Sequence, residues 1–159
     1  LMLKSLHHVP VVRMDAALAE IARVLVPGGL AYVSEPIYDG ALNEIVSIFH
    51  DERAVREAAF TALVRAVASG RFELAAERFW RAKRRFTGFA EFDERLIRAT
   101  HTEHRLSPDV YAAVRERFLR HLAPDGTATF EQPIPSSIGR PIAACTVAAW
   151  RAIASGWKK

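Results

Sequence analysis

The chain has 159 residues, half of them hydrophobic and a quarter charged, the composition of an ordinary globular domain and not of a disordered chain. No apolar run approaches the roughly 18–20 residues of a membrane-spanning helix, and the single cysteine, Cys145, excludes an internal disulfide and fits a reducing compartment. The net charge of +4 comes entirely from Arg140, Arg151, Lys158 and Lys159, beyond the last acid, Glu131; charge in a tail instead of on a folded face argues against nucleic acid as a partner.

Leu1 to Leu6 is a short apolar run that reads as the end of a strand. It has no basic leader and no small-residue cleavage site, so no signal peptide is expected and the chain is assigned to the cytoplasm. His7-His8-Val9-Pro10 interrupts the run. Met14, Ala17, Leu18, Ile21, Ala22 and Leu25 then form one apolar helical stripe, with Asp15, Glu20 and Arg23 off it. Pro27-Gly28-Gly29 stops that helix. Leu30–Ser34 has no polar alternation, as expected of a strand covered on both faces. A helix between two such strands implies a right-handed parallel crossover.

The middle of the chain reads as helical. Ala41–Phe49 is a short helix candidate, and Asp51 can cap a second carrying Val55, Ala59, Leu63, Ala66 and Val67 on one face and ending at Gly70. Phe72, Ala75, Ala76, Phe79 and Trp80 have helical spacing and predict a third helix. Phe89, Phe92, Leu96 and Ile97 predict a fourth. Ser107-Pro108-Asp109 is a helix start, with Ser as cap, Pro at the first helical position and an acid in the first turn. That helix is expected to reach about Leu122, with Tyr111, Val114, Phe118 and Leu122 inward. Pro124-Asp125-Gly126 is a turn and Thr127–Glu131 a strand. The tail after Gln132, with Pro133, Pro135 and Pro141, reads as atypical.

Common nucleotide and hydrolase signatures are missing. Gly28-Gly29 sits at a helix end, where carbonyls point out, whereas phosphate cradles use helix starts. There is no Walker-type loop and no G-x-S-x-G elbow. His101 and His104 are spaced to share a helix face, but none of the six histidines has the H-E-x-x-H arrangement. No bound metal is expected, and metal-dependent hydrolysis through that pair ranks last among the readings. The basic run Arg81–Arg85 reads as a solvated helix end.

The informative constellation is the pair of strand ends. Ligands in open α/β sheets sit outside the carboxyl ends of the strands. Here those ends are Lys4-Ser5-Leu6-His7-His8 and Ser34-Glu35-Pro36. Neighbouring parallel strands lie about 4.8 Å apart, so His7 and Glu35 meet if the two strands are neighbours. An imidazole held by a carboxylate has a fixed tautomer, which suits a general base.

The stretch KSLHHVPVVRMDAALAEIARVLVPGGLAYVSEP resembles the region after strands 4 and 5 of class I S-adenosylmethionine-dependent methyltransferases. The block Glu20-Ile21-Ala22-Arg23-Val24-Leu25, followed by Pro27-Gly28-Gly29, carries most of that likeness, which covers the first three dozen residues. The resemblance implies an α/β fold: a partial Rossmann-like methyltransferase sheet of strands 4, 5 and 6 with a largely helical lid insertion. It implies S-adenosyl-L-methionine as cofactor and SN2 transfer of a methyl group to a small-molecule acceptor, catalysed mainly by proximity and alignment. By the same resemblance Ser5, Leu6 and His7 lie beside the cofactor, and His7 and Glu35 are the catalytic pair. His8, Tyr38, Asn43 and Phe49 are expected on the acceptor side. Plant-type O-methyltransferases use the His of a Leu-His-Asp segment as base; His7 matches it, with His8 where the Asp stands.

The family's Gly-rich loop after strand 1 and its acid after strand 2 are absent, so the chain is expected to be the C-terminal portion of a longer enzyme and incomplete alone. The expected organisation is a core at 1–37, a helical lid at 38–106, a helix and strand returning to the core at 107–135, and a tail at 136–159 foreign to the fold. Phe72, Phe79, Trp80, Phe86, Phe89 and Phe92 fit either an acceptor pocket or plain packing. The alternative is a non-enzymatic helical binding module that uses Arg81–Arg85 and the basic tail. Exposed sheet edges favour association.

Overall fold

The computed structural model describes residues 1–99 and 105–141. The chain runs β1 (Met2–Leu3), two 3-10 turns at Leu6–His8 and Val11–Arg13, α1 (Met14–Val24), β2 (Ala31–Ser34), α2 (Ala41–Val46), α3 (Arg53–Ala68) and β3 (Phe72–Phe86). It continues through α4 (Phe89–Phe92), which runs into a π-turn at Asp93–Ile97, then α5 (Pro108–Leu119) and β4 (Ala128–Pro141). The strands form one mixed sheet in the order β1-β2-β4-β3. β1 and β2 are parallel, with Met2 beside Val33 and Leu3 beside Ser34. β4 is antiparallel to β2, from Ala31 opposite Gly139 to Ser34 opposite Ser136. The chain divides into two compact units: Leu1–Ile37, Val55–Trp80 and the stretch from Ile134 onward in one, Tyr38–Ala54 and Arg81–Pro133 in the other.

In the first unit, the stripe on α1 buries Met14 and Leu18, and α3 buries Ala59, Ala62 and Ala66. These residues, with Leu6, Ala31 and Phe72, make one core. The buried positions on α3 are all alanine, which lets its backbone approach closely. An Asp15–Arg65 pair at 3.0 Å joins α1 to α3 on the surface. Gly70 ends α3 at φ +74°, a conformation glycine adopts without a Cβ penalty. An apolar cavity of about 30 Å3 lies in this unit, lined by Leu18, Ala31, Ala66, Phe72, Leu74 and Gly139 among others.

The second unit is held by aromatic packing. Phe86, Phe92, Phe118 and Phe130 are all buried. Phe92 and Phe118 have ring centroids 4.9 Å apart, and Phe86 meets Phe92 edge-on at 5.5 Å, distances at which aromatic rings attract. Two helix starts expected from the sequence are present. The Asp51 carboxylate accepts from the Arg53 N–H at 2.9 Å, and Ser107 Oγ accepts from the Val110 N–H at 3.4 Å, with Pro108 in the first turn. Buried Asp93 accepts from the Tyr111 hydroxyl at 2.9 Å and pairs with Arg98 at 3.2 Å.

Several expectations are corrected. Residues 72–80 do not form a helix; they begin the fifteen-residue strand β3. The same stretch that offers a helical stripe also sets Phe72, Leu74 and Ala76 at period two. Strand pairing and the burial of Phe72 and Phe86 at the two ends decide between the readings. The expected helical insertion at 38–106 therefore holds a long strand beside α2, α3 and α4, and Arg81–Arg85 lies on that strand, not at a helix end. Arg81 and Lys83 lie 3.6 and 3.9 Å from Glu131, and Arg85 lies 3.5 Å from Asp125. Phe86 and Phe92 are buried core residues, Phe72 is buried and lines the cavity of the first unit, and Phe79 and Trp80 are exposed.

The tail also departs from expectation. Residues 136–141 belong to β4, and Ile134 and Ser136 are buried in it, so no boundary falls at 136. Prolines normally exclude an inner strand because they lack a ladder donor. Pro133 and Pro135 are two residues apart, so both missing donors fall on one edge, and the stretch paired to β2 begins at Ser136, past both. Residues 142–159, with Cys145 and the rest of the basic tail, and His101 and His104 lie outside the described residues.

Candidate functional site

The site begins where β1 and β2 end side by side. Lys4 takes a left-handed backbone conformation, φ +49°, uncommon for a residue with a Cβ. Its N–H donates to Ser34 O at 2.7 Å, the last ladder bond before the chain turns. That turn, continued by the 3-10 turn at Leu6–His8, points two successive N–H groups at one spot. Glu35 fills it: Oε1 accepts from Ser5 N–H at 2.9 Å and Leu6 N–H at 2.6 Å. Consecutive backbone N–H groups of this kind form an anion-binding nest. The other oxygen, Oε2, lies 2.5 Å from His7 Nδ1. His7 and Glu35 are each 6 % exposed.

Electrostatics follow from that geometry. Burial alone pushes the Glu35 carboxyl up. The bonds from His7, Leu6 and Ser5 outweigh burial and hold it below its ordinary value. An ionised carboxylate facing Nδ1 keeps the proton of a neutral His7 on Nδ1 and leaves Nε2 with the lone pair. The exposed His8 ring lies against His7, with centroids 4.1 Å apart and planes tilted by 40°. Behind the rim, Ser136 Oγ donates to Ser34 Oγ at 3.1 Å, a buried hydroxyl pair that joins β4 to β2.

The structure thus brings together Ser5, Leu6, His7, His8 and Glu35. Tyr38, Asn43 and Phe49 belong to the second unit. There the Tyr38 hydroxyl donates to Asn43 O at 3.3 Å, and Asn43 Nδ2 donates to Asp39 O at 2.5 Å. Phe49 packs against the aromatic core. Arg53 stacks over the Tyr38 ring at 4.5 Å. The binding of Glu35 by the Ser5 and Leu6 backbones was not foreseen. Its only signal was a carboxylate placed directly after an apolar strand and before a proline.

The chain matches no protein-family model and no curated protein. Among solved structures it is similar to a candidate methyltransferase from Bacillus halodurans C-125, with 14% sequence identity and a TM-score of 0.53 over 88% of this chain. The chain spans 62% of the length of that neighbour. At this identity the likeness is one of fold: a mixed α/β sheet with helices, similar to that of a methyltransferase.

Proposed function

We propose that the chain is the C-terminal part of an S-adenosylmethionine-dependent methyltransferase acting on a small-molecule acceptor. The observation that carries this reading is the buried His7–Glu35 pair at the adjacent ends of two parallel strands, the place where α/β sheets put ligands. The methyltransferase-like fold supports it. So does the antiparallel strand against β2: the family ends its sheet on a last, antiparallel strand, and the tail from 136, expected to be foreign to the fold, contributes to one here.

The residues present fit one wall of a cofactor site and not the whole of it. The N–H groups of Ser5 and Leu6 are occupied by Glu35, so neither donates to the cofactor, and the Leu6 side chain is buried in the core of the first unit. The Gly-rich loop and the ribose-binding acid are not in the sequence. When bound, S-adenosylmethionine supplies the methyl group. His7 Nε2 accepts the proton of the acceptor's nucleophilic atom, and Glu35 holds the imidazole and stabilises its charged form. The exposed His8 ring lies against His7, and His8, Tyr38, Asn43 and Phe49 are assigned to the acceptor.

The test is the coding sequence upstream of Leu1, together with cofactor binding by the longer product. The proposal expects a strand followed by a Gly-x-Gly-x-Gly loop upstream, and micromolar binding of S-adenosylhomocysteine by the longer protein. An unrelated upstream fold that binds no nucleoside would overturn it.

A further inference from the structure

β3 is an edge of the sheet, with a strand neighbour on one side only among the described residues. It is fifteen residues long and contains no proline. Such edges are usually kept from pairing by scattered charge. Here the charge is ordered. Reading β3 backwards against itself about Phe79 sets Glu73 opposite Arg85 and Glu77 opposite Arg81, with Phe72 opposite Phe86, Ala76 opposite Ala82 and Arg78 opposite Trp80. A shift of two residues either way leaves one acidic–basic pair per strand in place of two, so one register is favoured.

Glu73, Arg81 and Arg85 are exposed, while Glu77 is half-buried and accepts from Ser137 Oγ at 3.5 Å. Phe79 and Trp80 are 57 % and 58 % exposed. Among the described residues, neither Glu73 nor Glu77 forms an ion pair, and Arg81 and Arg85 are held only at 3.6 and 3.5 Å by Glu131 and Asp125. We infer that β3 pairs antiparallel with β3 of a second copy of this chain, in an isologous dimer whose two-fold axis passes beside Phe79. A two-fold contact repeats each pair, so the interface carries four cross-strand ion pairs. Arg78 meets the partner's Trp80 ring in a cation–π contact.

Sedimentation velocity on the full chain at rising micromolar concentration should show a monomer–dimer equilibrium. Phe79→Cys combined with Cys145→Ser should cross-link to a dimer on mild oxidation, because directly opposed Cβ atoms lie about 4.5–5.5 Å apart. Lys83→Cys in the same background should not, since Lys83 faces Ala75. Glu73→Arg places like charges opposite each other and should weaken the dimer by roughly tenfold or more. Adding Arg85→Glu should restore it. A chain that stays monomeric overturns the inference, as does a dimer indifferent to Glu73→Arg or one not rescued by the exchange. A monomer that instead binds single-stranded oligonucleotide with steep salt dependence would give the basic strand to nucleic acid and also overturn it.

Discussion

Removing the Glu35 carboxylate separates its structural part from its chemical part. In Glu35→Ala the N–H groups of Ser5 and Leu6 and the Nδ1–H of His7 lose their acceptor together. Hydrogen bonds to a charged group contribute about 1.5–3 kcal/mol each, offset by the carboxylate's own desolvation. Loss of one partner of a buried pair therefore costs about 3–5 kcal/mol. Glu35→Gln keeps an oxygen for the two backbone donors but turns an NH2 toward His7. That donor favours Nδ1 as acceptor and moves the His7 proton to Nε2, so Nε2 no longer offers a lone pair, while stability falls by only about 1–2 kcal/mol.

Urea unfolding of the three proteins reads the stabilities, and 15N-detected imidazole spectra read the tautomer. The sign of the pH effect is also set. The folded carboxyl lies below its ordinary value of 4.5, so its stabilisation is present above that pH and is lost as pH falls through the folded value. Glu35→Ala should flatten this acid-side slope. A Glu35→Ala protein within about 0.5 kcal/mol of the parent would refute the reasoning, because that is the range of surface substitutions without a structural role.

Other sites give independent checks. Phe118→Ala opens the aromatic core among Phe86, Phe92 and Phe130 and should cost about 3–5 kcal/mol in urea unfolding. Gly40→Ala should cost about 1–3 kcal/mol by the same measurement, since its backbone sits at φ +88° and a Cβ there would meet Glu131 O at 3.0 Å. Ser107→Ala should lower the melting temperature only slightly, by an amount equivalent to about 0.5–1 kcal/mol, because the cap bond to Val110 is long at 3.4 Å. On the proposed methyltransferase reading, His7→Gln in the longer protein should lower turnover by about 10²–10⁴-fold with little change in cofactor binding, read as kcat against the dissociation constant.

Local signals carried the N-terminal part of this fold well. The α1 stripe, the glycine turn after it and two apolar segments were enough to expect parallel neighbours, and Leu3 does stand beside Ser34. The meeting of His7 with Glu35 followed from that pairing alone. The nest around Glu35 did not, because it depends on a left-handed Lys4, and lysine carries no local preference for that conformation. β3 was misread because FELAAERFW satisfies a helical and a strand period together; only pairing with β4 separates them. β4 was cut short because prolines argue against an inner strand, and their shared parity becomes meaningful only when the neighbour's register is known. The aromatic residues after Phe72 were ambiguous between pocket and core, and packing placed Phe86 and Phe92 in the core.

The central claim is that these strand ends form one wall of an S-adenosylmethionine site whose other walls come from chain outside this sequence. Calorimetric titration of S-adenosylhomocysteine into this chain and into the longer protein addresses it directly. The account predicts no measurable heat of binding for the chain alone and micromolar affinity for the longer protein, retained in His7→Gln. Micromolar binding by the isolated chain, or none by the longer protein, would contradict it.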